Sequence, residues 1–333
     1  MASDPFSDIL KLTRAESVVS GGFTAGGPWA LRFAGADKIK YFAVVHGRCW
    51  LRLDGAAAPL ALAAGDVFLI GAERSFVLAS DLRLAALDAR TVFAGHGGNI
   101  VDIGAGADTF LLGGHVRLDP AGGALLADVL PPLIHVPAAA PEAAVLQWLF
   151  TQLVHERADD LPGAGVAAAQ LAQLMFVQLL RAHLAHAATG APGWLRALGD
   201  ARIAPALRLM HGEPARAWQL AELASAVAMS RTTFAVRFKQ VAGVGPLTYL
   251  LHWRMRLAER ALRDHAMPLA TLARTLGYSS ESAFSNAFKR TVGVAPKRYR
   301  DAARTAPHGV DQPPARVPPP APRAQSDTSA RIS

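Results

Sequence analysis

Polar and basic side chains are concentrated in two short stretches of the chain, 231–239 and 281–289. In each stretch they recur at spacings that put them on one face of a helix. Hydroxyl, amide and basic groups on an exposed helix face can bond to base edges and phosphates in a DNA major groove. The two faces consist of Arg231, Thr232, Ala235, Val236 and Lys239, and of Glu281, Ser282, Ser285, Asn286 and Lys289.

The two stretches belong to a unit that occurs twice, about fifty residues apart. In each copy we predict a helix, a tight turn, a serine that caps a second helix, and two phenylalanines at i and i+4 that face the core. The second copy has one inserted residue after its turn. Residues shared by the copies include Leu220 and Leu269, Ala224 and Ala273, Ser230 and Ser280, Phe234 and Phe284, Phe238 and Phe288, and Gly243 and Gly293.

Residues 246–264, between the copies, predict one continuous helix. They begin with a proline, carry apolar residues at helical spacing and have a basic outer face. Such a helix is roughly 28 Å long, close to the ~34 Å of one DNA turn. The arrangement predicts that one polypeptide reads two successive major grooves. A duplicated α-helical bundle without DNA binding is the alternative.

Charge divides the chain into two unlike halves. Residues 1–190 contain 13 Lys and Arg against 17 Asp and Glu, whereas residues 191–333 contain 21 against 9. The net charges are −4 and +12, which give the +8 of the whole chain. A basic second half favours double-stranded DNA as a partner. A non-specific nucleoid-binding protein is a second alternative that the charge leaves open.

The first part of the chain predicts a β-rich domain. Short apolar runs over 29–118 are separated by Gly and Asp turns, a pattern typical of a barrel or sandwich. Two helical stretches follow within 138–190, and the second is apolar on more than one face. A helix pair between domains predicts a dimerisation element, with buttressing of the barrel as the alternative.

The stretch from about 195 to 300 resembles the DNA-binding domain of the AraC/XylS transcription regulators. The likeness is carried by "WQLAELASAVAMSRTTF", "PLTYLLHWRMR" and "LGYSSESAFSNAFKR". It implies base contacts from Thr232, Ala235 and Val236 in the first copy and from Glu281, Ser282, Ser285 and Asn286 in the second. Ala235 and Val236 can offer only apolar contact, best suited to thymine methyl groups. We expect Arg231 and Lys239 to contact phosphates.

The strand series resembles the cupin-type sensory domains that are fused to such regulators. The stretches "HGRCWLRLDG" and "LAAGDVFLIG" carry the likeness. Many cupins hold a metal through a His-x-His pair and a further His, but Lys40 and Phe42 stand at the His-x-His positions here. Gly71, Glu73 and Phe76 stand where Pro, Gly and His are expected. We therefore expect no metal and no cofactor, and a cupin enzyme or its metal-free remnant is a third alternative.

A barrel interior can hold a small organic effector, which the sequence does not identify. Phe42, Trp50, Phe68 and Phe76 are the residues predicted to line it, although each also suits a plain core position. Cys49 is the single cysteine, so the chain has no internal disulfide. We interpret it as a buried inert thiol, with a redox role as the alternative.

These patterns predict an α+β multidomain protein that senses an effector and regulates transcription. No signal peptide or membrane-spanning run is evident, so we expect a cytoplasmic protein. From the missing metal ligands and the helix pair we expect it to be a homodimer without enzymatic activity. The expected partners are double-stranded DNA, RNA polymerase (as for an activator) and an unidentified small molecule. The predicted divisions are a cupin-like β-barrel over 1–137, a helical linker and dimerisation region over 138–190, an all-α domain with two helix-turn-helix units over 191–304, and a disordered Pro-rich tail over 305–333.

Overall fold

The structure is a computed structural model that describes residues 4–35, 38–96, 100–117, 126, 130–158, 162–186, 192–264 and 267–305. The tail predicted to be disordered lies outside these residues from position 306 onward. The described chain opens with helix α1 (Pro5–Thr13). Asp4 caps this helix, because its side chain accepts a hydrogen bond from Phe6 N at 3.2 Å.

The strands of the described residues form two sheets that enclose an apolar core. They are β1 (Glu16–Gly26), β2 (Ala30–Phe33), β3 (Ile39–His46), β4 (Arg48–Leu53), β5 (Leu60–Ala63), β6 (Val67–Ile70), β7 (Phe76–Ala79), β8 (Leu87–Asp88), β9 (Ile100–Gly104), β10 (Thr109–Arg117) and β11 (Leu133–Val136). One sheet has the order β11-β6-β3-β10-β1-β9 and the other β5-β4-β7-β2-β8. Phe23, Phe33, Phe42, Phe68 and Phe76 from both sheets share one cluster, so the first part of the chain is the β-rich domain that the sequence predicts.

Helices dominate the chain after the barrel. They are α3 (Ala143–Ala158), α4 (Ala164–His186), α5 (Trp194–Gly199), α6 (Ala204–Gly212), α7 (Leu220–Ala226), α8 (Arg231–Ala242), α9 (Pro246–Asp264), α10 (Leu269–Thr275), α11 (Glu281–Val292) and α12 (Pro296–Thr305); the short α2 (Ala89–Phe93) lies within the barrel. Helices α3 and α4 lie within residues 138–190 and pack on each other.

Helix α4 is long and apolar enough to cross a membrane by length and composition alone. Its inner face is packed, however, with Met175, Phe176 and Leu179 fully buried. The helix is also tied to the barrel, since Ser17 N on β1 donates to Gln173 Oε1 at 3.0 Å. Packing against the six-stranded sheet and α3 therefore accounts for the apolar character of its inner face.

Two separate apolar clusters hold the helical region together. The larger cluster extends from α1 and the outer face of the six-stranded sheet, through α3 and α4, to α8 and the first part of α9. It includes Phe234 and Phe238 of the first repeated unit. The smaller cluster joins α9, α10 and α11 around Phe284 and Phe288. The first unit thus shares its core with the N-terminal part of the molecule, whereas the second has a core of its own.

Helix α1 attaches the start of the chain to helices α5, α6 and α9. Arg14 at its end forms an ion pair with Asp264 at the end of α9. His211 of α6 is buried, with Nε2 2.9 Å from Tyr249 Oη and Nδ1 3.5 Å from Asp8 Oδ2. Burial lowers the pKa of His211 to about 3, so the ring is neutral at pH 7. Helix α1 is therefore held on the helical region by two separate contacts, a buried neutral imidazole and the Arg14–Asp264 ion pair.

Candidate nucleic-acid interface

Both repeated units turn through the same backbone motif. After the first helix of each unit, an amide N–H donates to the carbonyl oxygen five residues earlier, at 2.9 Å in both. Such a bond closes the C-terminal end of a helix, and it requires one residue there to adopt the left-handed backbone conformation. That residue is Ala228 in the first unit, with φ 52°, and Gly277 in the second, with φ 80°. The bonded pairs are Met229 with Ala224 and Tyr278 with Ala273.

The second helix of each unit begins and ends in the same way. Ser230 Oγ accepts a hydrogen bond from Thr233 N at 3.2 Å, and Ser280 Oγ accepts one from Ala283 N at 3.1 Å. These are the serine caps that the sequence predicts. Each helix ends at a glycine in the left-handed region, Gly243 with φ 81° and Gly293 with φ 90°. The repeat is therefore preserved at the level of individual caps, as well as in the sequence pattern.

The residues predicted to contact DNA all lie on the surface of α8 and α11. Ala235 and Ser285, which occupy equivalent positions, are half-buried, and the others are exposed. Val236 is 53% exposed. Opposite these faces, Phe234 and Phe284 are fully buried. The two faces are therefore free to meet a partner, although their individual base and phosphate contacts stay predictions.

A joint between the two units includes residues that the sequence patterns do not reveal. Arg254 of α9 donates from Nε to Pro214 O at 2.6 Å and from Nη2 to Arg216 O at 2.8 Å. Its guanidinium group also lies 5.8 Å from the ring centroid of Tyr278, in the turn of the second unit. The loop before the first unit, the connecting helix and the turn of the second unit thus meet at Arg254.

The barrel contains a cavity of about 290 Å³ bordered by β1, β3, β10 and α2. Of the aromatic residues predicted to line the interior, Phe42 borders this cavity. Phe68 and Phe76 are buried behind Phe42, with ring centroids 5.2 and 5.7 Å from it. Trp50 is 40% exposed and lies on the outward face of β4. The structure therefore brings one of the four residues to the cavity.

Cys49 is buried in the barrel, and burial raises the pKa of its thiol to about 12. A protonated, inaccessible thiol is a poor nucleophile, in line with the interpretation of an inert residue. In the ranges that the structure describes, no group of three or more His, Cys, Asp or Glu side chains could hold a metal ion. Lys40 and Phe42, which stand where many cupins have histidine ligands, both border the cavity.

Comparison with known proteins gives matches along most of the chain. A cupin family model matches residues 4–185, and a helix-turn-helix domain model matches residues 223–302. A Streptomyces antibioticus protein described as an AraC-like transcription regulator is 43% identical over 297 residues, which cover 89% of this chain and 98% of that protein. The HTH-type transcriptional regulator AlkR of Acinetobacter baylyi is 30% identical over 283 residues, covering 82% of this chain and 91% of AlkR.

Among solved structures, the DNA-binding domain of AdpA in complex with a target DNA is 30% identical to this chain. It matches 30% of this chain and 91% of that domain, with a TM-score of 0.29. The cupin match alone spans more than half of the chain, and the Streptomyces relative is matched over nearly its whole length. This chain therefore belongs to the family of AraC-like transcription regulators and combines an N-terminal cupin domain with a C-terminal DNA-binding domain of two helix-turn-helix units.

Proposed function

We propose that one chain reads two successive major grooves of its DNA site with α8 and α11. The observation that carries this proposal is the match between the two helices, which have the same serine cap, the same glycine end and exposed side chains at the same positions. Helix α9 has 19 residues, and this length corresponds to roughly 28 Å, near one turn of DNA. The net charge of +12 on residues 191–333 supplies attraction to phosphates.

Asn286→Ala tests base reading by the second unit. The Asn286 amide can bond to adenine N6 and N7 together, so its loss is expected to cost about 1–3 kcal/mol of binding and to relax preference at one base pair. The comparison is made by selecting bound sequences from random duplex DNA with the wild-type and variant chains.

The matched control is Lys239→Ala, at a predicted phosphate contact. This change is expected to weaken binding to all sequences alike and to lower the salt slope by about 1. An unchanged sequence preference in the Asn286→Ala protein contradicts the placement of α11. A wild-type protein that enriches no sequence at all supports the nucleoid-binding alternative instead.

We propose that α3 and α4 form the surface on which two chains dimerise. Their outer faces carry large apolar side chains that no described residue covers: Val145, Trp148, Val166 and Leu174. Trp148 is 57% exposed, and a tryptophan at this exposure is typical of an anchor in a protein interface. The inner faces of the same helices already pack on the barrel, so the outer faces are available for a second copy.

Trp148→Glu is expected to convert the dimer to a monomer, because a buried carboxylate without a partner opposes association. Sedimentation velocity of the full chain measures the change. Leu87→Glu is the matched control, since Leu87 is 60% exposed on β8, outside the helix pair, and its replacement should leave the oligomeric state unchanged. A monomeric wild-type chain, or a dimer that survives Trp148→Glu, contradicts the proposed surface.

We further propose that a small molecule in the barrel controls DNA binding, and that the dimer activates transcription in the cytoplasm through RNA polymerase without enzymatic activity of its own. The domain boundaries at residues 137, 190 and 304 stay predictions. In vitro transcription from a promoter that carries the selected site measures the sign of regulation, and fewer transcripts in the presence of the protein would contradict activation.

A further inference from the structure

The cavity in the barrel has an aromatic floor. Phe23, Phe33, Phe42 and Phe93 border it, and the centroid of the Phe33 ring lies 5.5 Å from that of Phe42 and 6.3 Å from that of Phe93. Gly113 on β10 leaves room for the ring of Phe42, because a Cβ there would lie 2.8 Å from it. The volume of about 290 Å³ is at the small end of ligand pockets, roughly 300–1,000 Å³. The floor therefore suits a small apolar body, such as a ring or a short hydrocarbon chain.

Basic side chains border the same cavity at one end. Lys40 on β3 lies directly opposite His115 on β10 in the strand register, and Lys38 lies just before β3. Ser20 Oγ lies 2.7 Å from His115 Nδ1. Considering only residues that the structure describes, neither lysine forms an ion pair with a carboxylate. The positive charge at this end thus has no counter-charge among those residues.

Burial lowers the pKa values of the basic groups at this end, and the neighbouring cations lower them further. Burial, and then the charge of Lys38, lowers the pKa of Lys40. Burial, and then Lys38 and other nearby cations, lowers the pKa of His115 to about 4. The Lys40 ammonium lies 5.3 Å from the ring centroid of Phe33, at the border between the basic end and the aromatic floor. A bound anion at this point would relieve the repulsion and could place its apolar part on the floor.

We propose that the cavity binds a small organic carboxylate with an apolar body, its anionic group held by Lys38 and Lys40 and its body by the phenylalanine floor. This inference rests on the effector control proposed above and names the chemical class of the effector. A neutral hydrocarbon would leave the lysines without a counter-charge from the residues that the structure describes, and a polyhydroxylated ligand would press hydroxyl groups against aromatic rings. Arg90 also borders the cavity but already pairs with Asp88 at 3.1 Å, which leaves the two lysines to hold the anion.

Isothermal titration calorimetry of the full chain tests the inference. The ligands are benzoate, 1-naphthoate and hexanoate, and the affinity for each acid is compared with that for the corresponding neutral amide. At least one acid is expected to bind, with its amide at least tenfold weaker. Lys40→Met keeps the apolar stem over Phe33 but removes the charge, and it should weaken the acid at least tenfold. Lys38→Met, at an exposed position, should weaken it as well. Lys11→Met, which removes an exposed lysine on α1, is the matched control and should leave binding unchanged.

Three results would overturn the inference: no acid binds, the amides bind as tightly as the acids, or both cavity variants keep the wild-type affinity. The titration contains no DNA, so its outcome is separate from that of the site selection. Carboxylate binding with no selected DNA sequence would contradict the proposed DNA reading alone. A selected DNA sequence without carboxylate binding would contradict the inference alone.

Discussion

Replacing Gly277 by alanine is expected to destabilise the second helix-turn-helix unit and to weaken binding to the selected DNA site about tenfold or more. Gly277 has φ 80°, a backbone conformation that costs other residues about 1–2 kcal/mol. The new Cβ would also lie 2.1 Å from Ala215 O, a backbone atom that cannot rotate away. The second unit must then move off the loop before the first unit, and α11 loses its position relative to α8.

The measurements are chemical denaturation and DNA titration of the variant. Ala228→Gly is the matched control, because Ala228 is the left-handed residue of the first unit, with φ 52°. Glycine there should stabilise the protein by about 0.5–1 kcal/mol and leave DNA affinity unchanged. If Gly277→Ala retains both wild-type stability and wild-type DNA affinity, the joint does not position the two units.

Phe284→Ala is expected to unfold the second unit while the first stays folded. Phe284 is fully buried in the small cluster of α9, α10 and α11, and removal of a buried phenylalanine costs about 3–5 kcal/mol. A cluster of this size has few other contacts to absorb the loss, so local unfolding is the expected response. Hydrogen exchange should show fast exchange of the amides in α10 and α11 and protection in α8.

Phe234→Ala removes the equivalent ring of the first unit and gives the comparison. Phe234 belongs to the large cluster that extends to α1, α3 and α4, so its loss should lower the stability of the whole molecule in one cooperative transition. Equal loss of protection in α8 and α11 of the Phe284→Ala protein would show that the two units share one cooperative core, contrary to the structure.

The repeated unit could be predicted from the sequence because its signals are local. Serine caps, i and i+4 phenylalanines and terminal glycines each depend on neighbours within one helix, and all of them are in place in both units. The exposure of Trp50 follows from a local signal too. Strand β4 alternates, with Cys49 and Leu51 inside and Trp50 outside, whereas the prediction placed Trp50 in the barrel interior.

The remaining features depend on contacts between distant segments. The joint brings Arg254 to the carbonyls of Pro214 and Arg216, about forty residues away in the chain, and no periodicity encodes that contact. The cavity is a similar case. The sequence shows that Lys40 and Phe42 stand at positions where many cupins have metal ligands, but only the register of β3 on β10 puts Lys40 opposite His115. The attachment of α1 to α6 and α9 is likewise visible only in the folded chain.

Hydroxyl-radical footprinting of the full chain on its selected DNA site tests the central claim, that one chain reads two successive major grooves. For each protomer we predict two protected segments on one face of the duplex, with centres about 10 base pairs apart. In the Phe284→Ala protein, the segment that belongs to α11 should lose its protection and the other should keep it. One protected segment per protomer, or uniform protection along the duplex, would contradict the claim.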